Sequence, residues 1–168
     1  LGGCPSPNLK LVKLFSQMPP PTVNAALAQV ATECYGAEAA PDILEAWSKF
    51  SDVFTAYPFN PTTLYFCPVQ LGPANLLYPV PTGYSATMVG YAYDDLKTWV
   101  TIYPVDVFAS QFESMATGWQ PGLAAFKSAI GKTRTKVQTA NAKTDFGLAE
   151  AAYLHFKSVA NQVQFTKA

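Results

Sequence analysis

From Tyr57 to Trp99 the sequence keeps no sustained helical or strand period, yet strongly periodic segments stand on both sides of it. The stretch is rich in aromatic residues, proline and glycine, and is almost uncharged until Asp94. Its centre reads Tyr65-Phe66-Cys67-Pro68-Val69-Gln70-Leu71-Gly72-Pro73-Ala74-Asn75-Leu76-Leu77. Proline fixes φ and removes a backbone donor, so neither a long helix nor a central strand runs through such a segment. Irregular segments of this length inside a compact domain are commonly lids or binding loops. The chain reads as a helical frame presenting one long loop, 59–103.

The frame follows from spacing and punctuation. Ser6-Pro7-Asn8 is a helix start, with serine as N-cap and proline in the first turn, and the helix runs to about Gln17. Met18-Pro19-Pro20-Pro21 breaks it. Thr22 caps a second helix with the stripe Val23, Leu27, Val30 and Cys34, ended by Gly36. Pro41-Asp42 opens a third, whose stripe Ile43, Trp47, Phe50, Phe54 and Tyr57 marks a core-facing helix. A buried Trp47 implies a loss of roughly 3–5 kcal/mol on replacement by alanine. Within the loop, Leu64-Tyr65-Phe66 and Ala86 to Tyr91 read as short strands, and Asp94 to Trp99 as one helical turn with an acidic start. After Pro104 the stripe Phe108, Phe112, Met115, Trp119, Leu123, Phe126 and Ile130 is the longest in the chain, and Pro121-Gly122 is expected to kink or split its helix. A last helix runs to about Phe165 with Leu148, Ala152, Phe156, Val159 and Val163 on its buried face. The expected fold class is mostly α, an irregular helical bundle of about five helices. Residues 9–168 read as a single domain, and 1–8 as the tail of a preceding domain or a linker.

Hydrophobic residues make up 49% of the 168 and charged residues 13%, against an average of about 25% charged. That is ample material for a core, and the low surface charge and absent initiator Met are read as signs of a piece of a larger protein, part of whose surface another domain covers. Eleven basic residues balance eleven acidic ones and Arg134 is the only arginine, so nucleic-acid binding has no electrostatic footprint. No apolar run is long enough to span a bilayer, and a soluble domain of unassigned compartment is expected. Cys4, Cys34 and Cys67 form neither a metal pair nor a disulfide framework, and Cys34 reads as a buried thiol. No metal site and no cofactor are expected.

Chemistry is sparse. His155 is the only histidine, which removes most triad and metal schemes, and it reads as a hydrogen-bonded residue at the edge of the core. Asp94 and Asp95 are neighbours whose side chains diverge, so helix capping is the plain account of one of them. An independent enzyme would need one of them beside a carboxylate from another segment, for instance Glu113. Tyr65, Gln70, Asn75, Tyr78, Tyr84 and Tyr91 offer aromatic faces and neutral amides, a mixture that suits sugars: C–H faces stack on rings while hydroxyls meet amides. The candidate sugar-binding residues are Tyr65, Gln70, Asn75, Tyr78, Asp94 and Asp95. The plainer account packs the same residues onto the bundle.

Several words carry a resemblance: Gly2-Gly3-Cys4-Pro5-Ser6-Pro7-Asn8-Leu9, Ala46-Trp47-Ser48-Lys49-Phe50-Ser51, Tyr57-Pro58-Phe59, Gly72-Pro73-Ala74-Asn75-Leu76-Leu77 and Ala160-Asn161-Gln162. With these, nearly the whole chain resembles the C-terminal helical region of large bacterial proteins of the glycoside-hydrolase type, in which a TIM barrel precedes that region. The resemblance departs at Cys4, where an aromatic residue is expected, and at Pro121, where a helix former is. It implies a carbohydrate-active partner: a missing N-terminal catalytic barrel that holds the acid/base pair, so no catalytic residue is assigned to this chain. The loop would lean over the C-terminal face of the barrel, where such enzymes keep their sites, and help complete a cleft for an oligosaccharide. The alternative is a structural module whose loop docks on a neighbouring domain and holds no ligand. Amides of Gln70 and Asn75 that face a groove would favour binding; amides that cap backbone within the domain would favour docking.

Overall fold

A computed structural model of the chain describes residues 6–168. Cys4 and the glycines before it lie outside the described residues. The fold is the mostly α, irregular bundle expected, and no strand occurs among the described residues. Its helices are α1 (Pro7–Phe15), α2 (Val23–Tyr35), α3 (Ala40–Phe54), α4 (Pro61–Tyr65), α5 (Leu96–Val100), α6 (Val105–Lys132) and α7 (Lys136–Lys167), with a 3-10 turn at Gly72–Ala74. None of them is long and apolar enough to cross a membrane.

The capping signals act as read. Ser6 Oγ accepts from the Asn8 amide and Thr22 Oγ1 from the Ala25 amide, so both helices start with a satisfied donor. Gly36, at φ 94°, ends α2. Leu64 to Phe66 is not a strand. Asn60 accepts from the Thr62 amide at 2.9 Å with Pro61 in the first turn, and this cap winds the segment into α4. Ala86 to Tyr91 is not a strand either, because no strand flanks it. The Thr87 amide donates to the Tyr91 carbonyl at 3.2 Å and closes a tight turn instead.

Pro121 does not split α6, which is one helix from Val105 to Lys132. Packing prevails over propensity there. Gly122 is buried against Phe50, and a Cβ at that position would come within 2.4 Å of the Phe50 ring. The Pro-Gly pair therefore marks a close approach of α3 to α6.

Two compact units form, one from Leu1–Phe50 with Pro121–Ala149, the other from Ser51–Gln120 with Glu150–Ala168. In the first, the core gathers Val30, Ala31, Tyr35, Ile43, Ala46, Phe126, Ala129 and Ala142. The Tyr35 ring is edge-on to Trp47 at 6.1 Å and to Phe126 at 6.0 Å, and its hydroxyl donates to Asp145 Oδ2 at 2.5 Å. Burial, and then the bond to the Asp145 carboxylate, push the phenol well above its usual range. The α3 stripe is displaced from its expected centre. Ile43 and Ala46 are fully buried, Trp47 and Phe50 only half-buried, and Phe54 is 50% exposed. Trp47 accordingly sits below the range of a fully buried tryptophan.

In the second unit, Phe108, Phe112 and Met115 of α6, Trp99 of α5 and Val159 and Val163 of α7 are fully buried. Phe112 stacks edge-on with Tyr57 and Phe108, and Trp119 with Phe156 at 5.3 Å. Leu148 is not on the buried face of α7 and is 65% exposed. Covered or half-covered positions run 142, 146, 149, 153, 156, 160 and 163, in steps of four and three, and Leu148 falls off that line.

Candidate functional site

Within the second unit, the loop is irregular but pinned. Trp99 is fully buried and its indole N–H donates to the Ala92 carbonyl at 2.8 Å. Asp95 caps α5 by accepting from the Thr98 amide and also accepts from the Ala86 amide at 2.9 Å. Asp94 points the other way, as adjacent residues do, and accepts from both the amide and the hydroxyl of Thr82. The two carboxylates therefore hold two different parts of the loop to one anchor. The Thr82 hydroxyl, then its amide, hold the Asp94 carboxyl below the usual carboxylate range. A depressed pKa stabilises the fold above the unfolded value and ceases to do so as pH falls through the folded one. Acidification past the ordinary carboxylate pKa of about 4 and through the lower folded value is expected to release the 82–94 latch, read as a change in the Thr82 amide signal; Asp94→Asn should show that change at neutral pH.

Around this latch sits a group of tyrosines. Tyr93 has φ 49°, a left-handed conformation that is uncommon for a bulky residue. Its ring is met by those of Tyr84 at 5.2 Å, Tyr91 at 5.8 Å and Tyr78 at 6.2 Å. Tyr84 and Tyr91 remain 63% and 51% exposed, so their outer faces are open to solvent. Beside them lies a hollow of about 530 Å³ lined by Tyr78, Pro79, Val80, Asp94, Phe165 and Thr166, among others. Desolvation, then the neighbouring Tyr93 and Asp94, raise the Tyr78 phenol, which stays a neutral donor at ordinary pH.

Of the residues expected to bind sugar, the fold brings Tyr78 and Asp94 together in this hollow, with Tyr84 and Tyr91 joined to Tyr78 through Tyr93. Asp95 stands behind it as a support. Tyr65 is 45% exposed on α4 and takes no part in the hollow's wall. The Gln70 amide donates to the Met88 carbonyl at 2.8 Å. Asn75 is buried, and its amide donates to Gln162 Oε1 at 2.9 Å and to the Leu76 carbonyl. Both amides therefore hold backbone or a neighbour within the unit, while Asn75 Oδ1 has no hydrogen-bond partner. Sequence reasoning missed Tyr93, Thr82, Phe165 and Gln162. Tyr93 alone left a signal, in the alternation Tyr91-Ala92-Tyr93 beside Asp94.

The His155 imidazole makes no hydrogen bond among the described residues, against expectation. Its ring instead packs on Gly72 and edge-on to Phe156. Gly72 has φ 58°, and a Cβ there would lie 2.7 Å from His155 Nδ1. Gly72→Ala combines a left-handed strain with that clash and is expected to lose about 1–3 kcal/mol, measured by urea unfolding.

No family model, curated protein or solved structure matches the chain. Its chemistry has to be read from its own groups. Glu113 holds Lys157 with both oxygens at 2.7 Å, and Asp94 and Asp95 are committed to the loop, so these carboxylates are engaged structurally. In the first unit, a hollow of about 390 Å³ does bring Glu33 and Asp145 into one wall, with Lys10, Cys34 and Asn141. A glycosidase pair needs one carboxyl kept protonated by a raised pKa. Glu33 is shifted the other way, by Gln29 and then Lys10, and Asp145 accepts a hydrogen bond from the Tyr35 hydroxyl. Both carboxylates of this hollow are bonded to partners within the unit, Glu33 to Gln29 and Asp145 to Tyr35. Cys34, beside it, is held in the thiol form by burial. No group of three or more histidine, cysteine or acidic side chains is gathered in metal-binding geometry among the described residues.

Proposed function

We propose that the chain is a helical accessory module of a carbohydrate-active, glycoside-hydrolase-like protein, and that its loop supplies an aromatic surface for an oligosaccharide. The observation that carries this reading is the pinned tyrosine group. Tyr84 and Tyr91 present open ring faces, while Asp94 and Asp95 hold the backbone beneath them. An ordered aromatic face meets the C–H side of a sugar ring with little entropy left to lose. Tyr78 and the rim of the adjacent hollow offer hydroxyl groups for hydrogen bonds. Catalysis is assigned to a separate barrel domain, as the resemblance implies, and none to this chain.

The docking reading has its own support. The amides of Gln70 and Asn75 are turned inward, and Met88 and Val89 stand 51% and 89% exposed on the same loop. Such apolar side chains suit contact with another domain. Titration of the chain with mixed oligosaccharides, followed by ¹H–¹⁵N NMR, separates the two. Shifts that saturate in the millimolar range and concentrate in residues 78–94 support sugar binding. Tyr84→Ala or Tyr91→Ala should then weaken binding about three- to tenfold, as expected for one ring contact of about 0.5–1.5 kcal/mol. A folded chain with no shifts at millimolar sugar would leave docking as the loop's role.

A further inference from the structure

Phe165 is shared by two hollows of the second unit. On one side it lines the Tyr78–Asp94 hollow of about 530 Å³; on the other it lines a pocket of about 570 Å³ with Asn75, Leu77, Leu154, Asn161 and Gln162. The second pocket has a distinct make-up. Leu77, Leu154 and Phe165 are each roughly half-exposed and form apolar walls. Its one ionic group, the Lys157 ammonium, is paired with both oxygens of Glu113, and its other polar groups are uncharged. Asn75 and Gln162 are more than nine-tenths buried and bonded to each other, and Asn75 Oδ1 still lacks a donor. Ser158 accepts from the Gln162 amide and keeps its own hydrogen free, and Asn161 is exposed on the same turn. Apolar walls with the exposed Asn161 amide and the Ser158 hydroxyl match a neutral polyhydroxylated ring.

We infer that the two hollows are consecutive parts of one track, which takes a linear neutral oligosaccharide across Phe165 and not a single sugar. This rests on the sugar-binding reading above and adds to it the length and neutrality of the ligand. Each hollow has the volume of an ordinary small-molecule site, and one shared ring between them lets successive sugars bind at high effective concentration.

The test is NMR titration of the chain with cellohexaose, xylohexaose and maltohexaose, each against its own monosaccharide. For at least one hexasaccharide the track requires at least tenfold tighter binding than its monosaccharide, with shifts both at Tyr78 and Asp94 and in the side-chain amides of Asn161 and Gln162. Phe165→Ala, a change at a 46% exposed position, should remove that length dependence while leaving the unfolding midpoint unchanged. Shifts confined to 78–94 with equal affinity for monomer and hexamer would overturn the track and leave the tyrosine surface standing. No shift with any of the probes, in a chain whose amide dispersion shows it folded, would overturn both.

Discussion

Replacing Trp99 by alanine is expected to destabilise the chain by about 3–5 kcal/mol, the range for a buried tryptophan. The side chain is fully buried, and its indole N–H satisfies the Ala92 carbonyl, which is itself 3% exposed at its residue. Alanine leaves both a cavity and a carbonyl without its donor. The α5 helix has only five residues, too few to hold together without that packing. Ala92 is followed by Tyr93, so the variant should also loosen the tyrosine group, read as averaged Tyr84 and Tyr91 ring signals. Trp99→Phe keeps most of the burial but not the hydrogen bond, and should lose only about 1–2 kcal/mol. Urea unfolding of both variants is the measurement. A change below about 0.5 kcal/mol for the alanine variant would place Trp99 with ordinary surface residues and remove the anchor from beneath the loop.

Periodicity did not single out Trp99, and the reason is physical. Rules that act within one turn were legible: Ser6 and Thr22 cap their helices, Gly36 ends one, and the α6 stripe from Phe108 to Phe126 faces the core. Those rules need only neighbours in sequence. Trp99 is fixed by packing and by a carbonyl in an aperiodic segment, so no spacing announces it. Trp47, on a clear helical stripe, looked more central than it is. At Leu64-Tyr65-Phe66 a short apolar run fits either strand or helix, and the cap at Asn60-Pro61-Thr62 decided it. The candidate site shows the same limit. Capping by Asp95 is local and was readable in kind, whereas the bond from Thr82 to Asp94 spans twelve positions and the bond from Asn75 to Gln162 spans 87. Tyr78 and Asp94 were each chosen for chemistry; that they share a hollow depends on the loop's path.

Phe126→Ala is the corresponding expectation for the first unit, with a loss of about 3–5 kcal/mol. Phe126 is 2% exposed, edge-on to Tyr35 and 6.3 Å from Phe146. Its removal opens a cavity beside a Tyr35 ring whose hydroxyl is tied to Asp145, so the ring cannot move in to fill the space without giving up that bond. Tyr35 also touches Trp47, which makes Trp47 fluorescence the local reporter of the damage. Half-buried Trp47 itself should lose less on replacement by alanine, about 1–3 kcal/mol, because a partly covered side chain gives up less transfer free energy. Ser128→Ala, at an exposed hydroxyl bonded to Asp42, should stay within about 0.5 kcal/mol. The order of the three carries the argument. Phe126 above Trp47 means that the core is centred on Tyr35, Ile43 and Phe126; Trp47 above Phe126 would return its centre to the aromatic stripe of α3.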